Sequence, residues 1–354
     1  MTAAGFLWDA RLAAHIYRDD HPLKPRRLIA VHDTLRDLGA FDGEGGCVLA
    51  PREATRAEIE RVHSPGYVDA VVRASADPEG DHSIWGLSPD GDTPPFAGMH
   101  EVSLLTTGAT LVAMDEVISG HLRRAFNGSG GLHHAMRDRA SGFCIYNDPA
   151  IVCALLMDRG LRVAYVDIDA HHGDGVQAAF YDTDRVLTIS LHETGRTLFP
   201  GTGFAEERGT GAGAGHSVNV ALPPGTDDEA YVRAFDAVVP PLVARYGPDV
   251  LVTQQGIDSH FSDPLTHLRL STHAREHCVR SFAELSYPWI AMGGGGYDLD
   301  AVRRVWAMEF LIMLGAAIPD ELRDRNVPPA AGDARRAIDR ATDEAVAAAL
   351  AAAF

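Results

Sequence analysis

The stretch AYVDIDAHHGDGV, residues 164–176, runs from an apolar segment into Asp167, Asp169, His171, His172 and Asp174. Carboxylates and imidazoles are ligands for divalent cations and the commonest general acids and bases. Side chains in a strand alternate with period two, so Asp167 and Asp169 share one side. His171 keeps that spacing, and Asp169 and His171 can aim into one pocket. A loop of solvated acids would not set Asp inside a Val/Ile run, because burying an unpaired carboxylate is costly. A bound cation would satisfy the group.

Three other stretches carry matching chemistry. QQGIDSHFSDP sets Asp258 just past an apolar strand, and MGGGGYD sets Tyr297 after four glycines that let backbone approach a ligand closely. SGGLHHAMRDRASGFCIYND contains the adjacent pair His133 and His134. Each is weak alone, since a strand-end Asp is often structural and a Gly run is often only a turn. Together they supply a metal site, bases and a hydrogen-bond donor.

The elements that must position these groups alternate between β-rich runs and helical patterns. Residues 163–169, 185–192, 216–222, 249–256 and 288–296 read as strands, several as nearly continuous apolar runs suited to a parallel sheet covered on both faces. Thr55 and Glu58 stand at capping-box spacing, and Ser64 with Pro65 opens a second helix. A third helix begins near Asp228, with Pro240 and Pro241 expected to interrupt it. The pattern predicts an α/β fold, one domain over residues 1–354, with a mainly parallel sheet. In such sheets ligands collect at the carboxyl ends of the strands.

Composition bounds the function. The 354 residues are 46% hydrophobic and carry a formal net charge of −18. That balance argues against non-specific nucleic-acid binding, which needs a basic footprint. Cys47, Cys144, Cys153 and Cys278 show no CxxC spacing, so neither a disulfide framework nor a Cys-type zinc site is expected. The glycines of GTGAGAG (209–215) do not match GxGxxG and precede a strand, which argues against nucleotide binding there. No apolar run approaches the ~18 residues of a membrane span, and no secretory pattern opens the chain. A cytoplasmic protein is the expectation.

The chain resembles the histone deacetylase family, and most its bacterial acetoin-utilisation branch. The resemblance rests on HPLKPRRL (21–28), GDTPPF (91–96), GGLHHA, ASGFCIYND, VDIDAHHGDGV, SLHETGRTLFPGTG, QQGIDS and GGGGYD, and covers roughly residues 15 to 310. It implies a single-domain fold with an eight-stranded parallel sheet and helices on both faces. The implied activity is hydrolysis of acetyl-lysine-type or acetylpolyamine-type amides with a divalent metal, usually zinc.

By resemblance, Asp169, His171 and Asp258 match the zinc ligands, and iron(II) also suits this donor set. His134 matches the general base that then protonates the leaving amine, and His133 its electrostatic partner, oriented by Asp174 and Asp167 respectively. Tyr297 matches the donor to the oxyanion. Gly142, Phe143, Phe199 and Leu265 fall at substrate-tunnel positions, Asp92 at the rim carboxylate and Arg27 at an internal arginine lining the acetate exit. A structural potassium would take Asp167, Asp169, His171, Ser190 and Leu191. A second potassium would lie near Phe180, Thr183 and Val186, where His216 replaces the family's tyrosine.

Two rivals remain open. A dimanganese ureohydrolase of the arginase type shares the fold, but Gly173 and His260 stand where its additional carboxylates would be. A non-catalytic acyl-lysine-binding relative would be expected to show a broken ligand set or to lack Tyr297. The partner is thus expected to be an acetylated protein lysine or a small acetylated amine.

Overall fold

The computed structural model describes residues 4–354 apart from 15, 16, 18, 19, 44, 326, 328 and 329. Eight strands form one sheet: β1 (Ala4–Leu7), β2 (Gly46–Leu49), β3 (Arg124–Asn127), β4 (Val163–Asp167), β5 (Val186–Glu193), β6 (Ser217–Leu222), β7 (Val250–Gln254) and β8 (Trp289–Met292). Their order is β2-β1-β3-β8-β7-β4-β5-β6, and every pairing is parallel. The last five strands fall on the five expected runs. The glycines after Met292 leave the sheet instead of extending it.

Parallel strands need long crossovers, and helices supply them. They are α1 (Arg26–Asp37), α2 (Arg56–Ile59), α3 (Pro65–Ala76), α4 (Met99–Ile118), α5 (Asp148–Asp158), α6 (Asp174–Ala179), α7 (Asp228–Tyr246), α8 (Thr272–Glu284), α9 (Leu299–Leu314) and α10 (Gly332–Ala352). Period-two alternation splits the core into two layers. Ala164, Val166 and Ile168 pack on one face with Val239, Val279 and Trp306. Val163 and Tyr165 pack on the other with Leu111 and Ile151. A sheet buried on both faces has no room for polar side chains except at its ends, which is where the charged groups of β4 and β7 emerge.

Local signals account for most helix starts. Thr55 and Glu58 form the reciprocal capping box of α2, and Ser64 accepts from Tyr67 N at the start of α3. Asp227 caps α7. That helix corrects one expectation, because it runs unbroken through Pro240 and Pro241. Each proline removes one backbone donor, which would have served Asp236 and Ala237. Asp236 is exposed and Ala237 only half-buried, so water can take over those carbonyls while Val238, Val239, Leu242 and Val243 keep the other side in the core. Among the described residues no helix is long and apolar enough to cross a membrane.

Candidate active site

The strand order sets β3, β8, β7 and β4 side by side. Their carboxyl ends lead into residues 128–134, 293–297, 255–258 and 168–174, the segments that hold the candidate groups. Residues scattered over more than a third of the chain therefore meet at one point, as expected for ligands of an open parallel sheet.

Asp169, His171 and Asp258 are buried, with candidate ligand atoms within 4.8 Å of one another. They form the one such group of three found among the described residues. Each carboxylate has one oxygen already occupied. Asp169 Oδ2 accepts from Gln254 Nε2 at 2.8 Å and Gly295 N at 2.9 Å, and Asp258 Oδ1 accepts from Ala170 N at 2.8 Å. The other oxygens, Asp169 Oδ1, which also accepts from His171 N at 2.9 Å, and Asp258 Oδ2, face His171 Nδ1 at 3.1 and 2.9 Å. Two glycines make this possible, since a Cβ on Gly256 would collide with the Asp169 carboxylate and one on Gly295 with that of Asp258.

Burial opposes the charged form of His171, yet Asp258 and Asp169 lift its pKa well above the ordinary value. The two anions thus draw positive charge to the point between them, and a divalent cation answers that demand as well as a proton does. The set of two carboxylates and one imidazole fits a catalytic divalent metal with an open position. His260, which stands at a bridging position of the two-metal rival, is turned away. Its ring nitrogens meet Ser262 Oγ at 2.8 Å and Asp324 Oδ2 at 2.9 Å.

The paired histidines lie against this group. His133 Nδ1 meets Asp167 Oδ2 at 2.7 Å, His134 Nδ1 meets Asp174 Oδ1 at 2.7 Å, and the two Nε2 atoms are 3.1 Å apart. An ionised carboxylate only accepts, so both Nδ1 atoms carry hydrogens. The contact between the Nε2 atoms then needs one donor and one acceptor. The environments separate them. Burial opposes charge on His133, but Asp167 and Asp169 raise it to about 9. Burial and the neighbouring His133 lower His134 despite Asp174. His134 is therefore the neutral ring, with its Nε2 lone pair available.

These groups line one end of a cavity of about 270 Å³ that also takes in Arg27, Asp92, Gly142, Phe143, Phe199, Leu265 and Tyr297. Phe143 meets Tyr297 edge-on at 5.8 Å, and Phe199 meets His134 edge-on at 5.0 Å. Asp92 is exposed at the rim, and its Oδ2 accepts from Gly142 N at 3.0 Å. A Cβ on Gly142, whose φ is 55°, would strike the His134 ring. Arg27 is buried, donates to Gly296 O at 2.9 Å and lies over the Trp306 ring. Burial, with Asp258 and Asp169 nearby, pushes the Tyr297 phenol well above its ordinary pKa, which keeps it a donor.

Asp167, Asp174, Ser190 and Leu191 sit behind the cavity wall. Asp167 pairs in register with Ser190 across β4 and β5, and the Ser190 hydroxyl is 2.7 Å from His192 Nδ1. His216 stacks on Phe354 at 4.7 Å.

Three contributing residues escape a reading by resemblance. Gln254 holds Asp169, and its polar side chain in an apolar strand was the available signal. Asp263 accepts from Tyr297 N at 2.8 Å and Leu265 N at 3.0 Å, with burial and Asp258 raising its pKa to about 7. Glu193 ties two cavity loops together through Thr197 and His267. Replacing Gln254 by Met keeps the volume and removes the hold on Asp169. Gln254→Met should weaken divalent-metal affinity by about 10–100-fold, the usual cost of losing such a support. Competition with a metal-buffering chelator measures it, and unaltered affinity would mean that Gly295 N orients Asp169 alone.

Sequence comparison places residues 21–313 in a match to the family model described as "Histone deacetylase domain". Acetoin utilization protein AcuC of Bacillus subtilis is 42% identical over 88% of this chain and 82% of that protein. The AcuC protein of Staphylococcus xylosus is 37% identical over 89% of this chain and 83% of its own length. Histone deacetylase clr6 of Schizosaccharomyces pombe is 35% identical over 90% of this chain and 78% of its own length.

Proposed function

Because this chain belongs to the histone deacetylase family, we propose that it is a zinc-dependent amidohydrolase that removes acetyl groups from acetyl-lysine-type amides, the whole chain acting as one catalytic domain. The observation that carries the reading is the meeting of three buried metal-type donors, a carboxylate-backed histidine pair and a phenol at one cavity. A divalent cation held by Asp169, His171 and Asp258 would supply Lewis-acid polarisation of the amide carbonyl and lower the pKa of the attacking water.

The protein's own groups do the rest. His134, neutral and anchored through Nδ1 to Asp174, accepts the water proton at Nε2 and returns it to the leaving amine. His133, backed by Asp167, supports the charge that develops. The Tyr297 hydroxyl donates to the oxyanion. Phe143 and Phe199 present aromatic faces to an aliphatic chain, and the rim carboxylate of Asp92 suits backbone amides of a peptide. A second cation of potassium type would take Asp167, Asp169, Ser190 and the backbone of His171 and Leu191, a reading supported by the in-register pairing of buried Asp167 with Ser190.

The deciding experiment is turnover by protein of defined metal content on acetyl-lysine peptides, with acetylpolyamines in parallel. Faster hydrolysis of the peptide supports the reading. Preference for polyamines moves the substrate class, and no hydrolysis of either at full metal loading removes the enzyme reading. Tyr297→Phe should lower kcat on an unactivated acetyl-lysine peptide by about 10²–10³-fold, the usual cost of one oxyanion donor, with metal content intact. An unaltered kcat would take Tyr297 out of the chemistry.

A further inference from the structure

The cavity mouth has two exposed apolar residues on different loops. Phe199, 43% exposed, rides on the loop that leaves β5, and Leu265, 37% exposed, on the loop between β7 and α8. The two loops are far apart in sequence, and one side chain joins them. Glu193, the last residue of β5, is buried although it is a carboxylate. Its Oε1 accepts from Thr197 Oγ1 at 2.8 Å and from His267 Nδ1 at 2.9 Å, while its Oε2 accepts from His267 N at 2.9 Å. Thr197 belongs to the Phe199 loop and His267 to the Leu265 loop.

A buried carboxylate is expensive unless several donors pay for it, and here three donors from two loops do so. The Phe199 loop is compact enough to be moved as a unit. Leu198 N donates to Thr194 O, Gly201 N to Leu198 O, and Gly195 packs against Gly201 and Thr202. Its far end is held separately, by Glu207 accepting from Gly203 N and Phe204 N. The Leu265 loop has its own tie to the metal group through Thr266 Oγ1, which donates to Asp258 O. Glu193 is therefore not needed to keep either loop attached to the protein. What it alone supplies, among the described residues, is the direct hydrogen bonding between the loops at the level of the mouth.

We propose that Glu193 is a positioning residue that sets the width of the tunnel mouth, and thereby the affinity for the side chain that must pass between Phe199 and Leu265. The inference rests on the acetyl-lysine reading for its substrate but not for its geometry. The backbone of Glu193 is bonded independently, its N–H donating to Ala170 O at 2.9 Å, so changing its side chain leaves that link to the metal loop in place.

The test compares Glu193→Ala with Glu193→Gln in metal-loaded protein. Gln keeps an oxygen acceptor for the loop donors, whereas Ala removes all of it. In Glu193→Ala, amide hydrogen exchange should rise together in residues 194–204 and 264–268, and KM for an acetyl-lysine peptide should rise about tenfold with kcat and bound metal retained. Glu193→Gln should restore most of both. Exchange rising in one loop only, or a fall in kcat and metal content at constant KM, would overturn the clamp. If the wild-type protein fails to hydrolyse the peptide, the hydrolase reading falls, and the exchange arm still decides whether Glu193 couples the loops.

Discussion

Asp258→Ala is expected to yield a folded protein that retains little divalent metal and has no measurable turnover. Asp258 contributes one of three donors, and its loss leaves Asp169 and His171 to hold a cation with two. The fall in metal affinity should exceed the about 10–100-fold cost of disturbing a residue that merely orients a ligand. The fold should survive, because Asp258 lies past the end of β7 and its backbone carbonyl keeps the bond from Thr266. Metal analysis after dialysis, circular dichroism and turnover on acetyl-lysine peptide together make the check. Full metal content with full activity in Asp258→Ala would show that the ligand assignment is wrong.

His134→Ala should be the most damaging change among the non-ligands, lowering the single-turnover rate by about 10²–10⁴-fold, the range for loss of a general base. His133→Ala should retain more activity, since its ring supports charge without completing the transfer. The pH dependence follows from the lowered pKa of His134. A base works in its deprotonated form, so activity should hold through neutrality and fall only as pH drops below about 6.5, the ordinary histidine value. Asp174→Asn removes the carboxylate that raises His134 and should move that acid limb to still lower pH. The comparison is made at equal metal occupancy. If His133→Ala proves the more damaging at every pH, the two roles must be exchanged.

Much of this site was legible in the sequence for a physical reason. Asp167 and Asp169 interrupt a run that otherwise belongs in a core, and a buried carboxylate demands a partner. The sheet was legible where strands were long and apolar. Strands β1, β2 and β3 escaped because four residues are too few to display a period; β8 is as short, but its WIAM run has no glycine or charge, whereas β1 and β2 carry Gly5 and Gly46 and β3 begins with Arg124. The prolines of α7 misled because a local rule counts lost hydrogen bonds without knowing which side of the helix meets solvent. Gln254 and Glu193 were out of reach for a different reason. Their partners lie 85 and 74 residues away, and only tertiary structure brings such groups together.

The donors gathered at the ends of four neighbouring strands also bear on how the molecule folds. No single βα unit contains the metal-binding group, because Asp169 follows β4 and Asp258 follows β7. Those strands must cross and pair before any cation can be gripped, and such long-range pairing is the slow part of folding a parallel sheet. A cation that binds only the assembled form then stabilises the entire sheet by mass action, in proportion to the logarithm of its concentration over its dissociation constant. With the proposed metal bound, the metal supply of the surroundings would become a term in the folding equilibrium of every strand, including the two edge strands, β2 and β6, that do not contribute to the site.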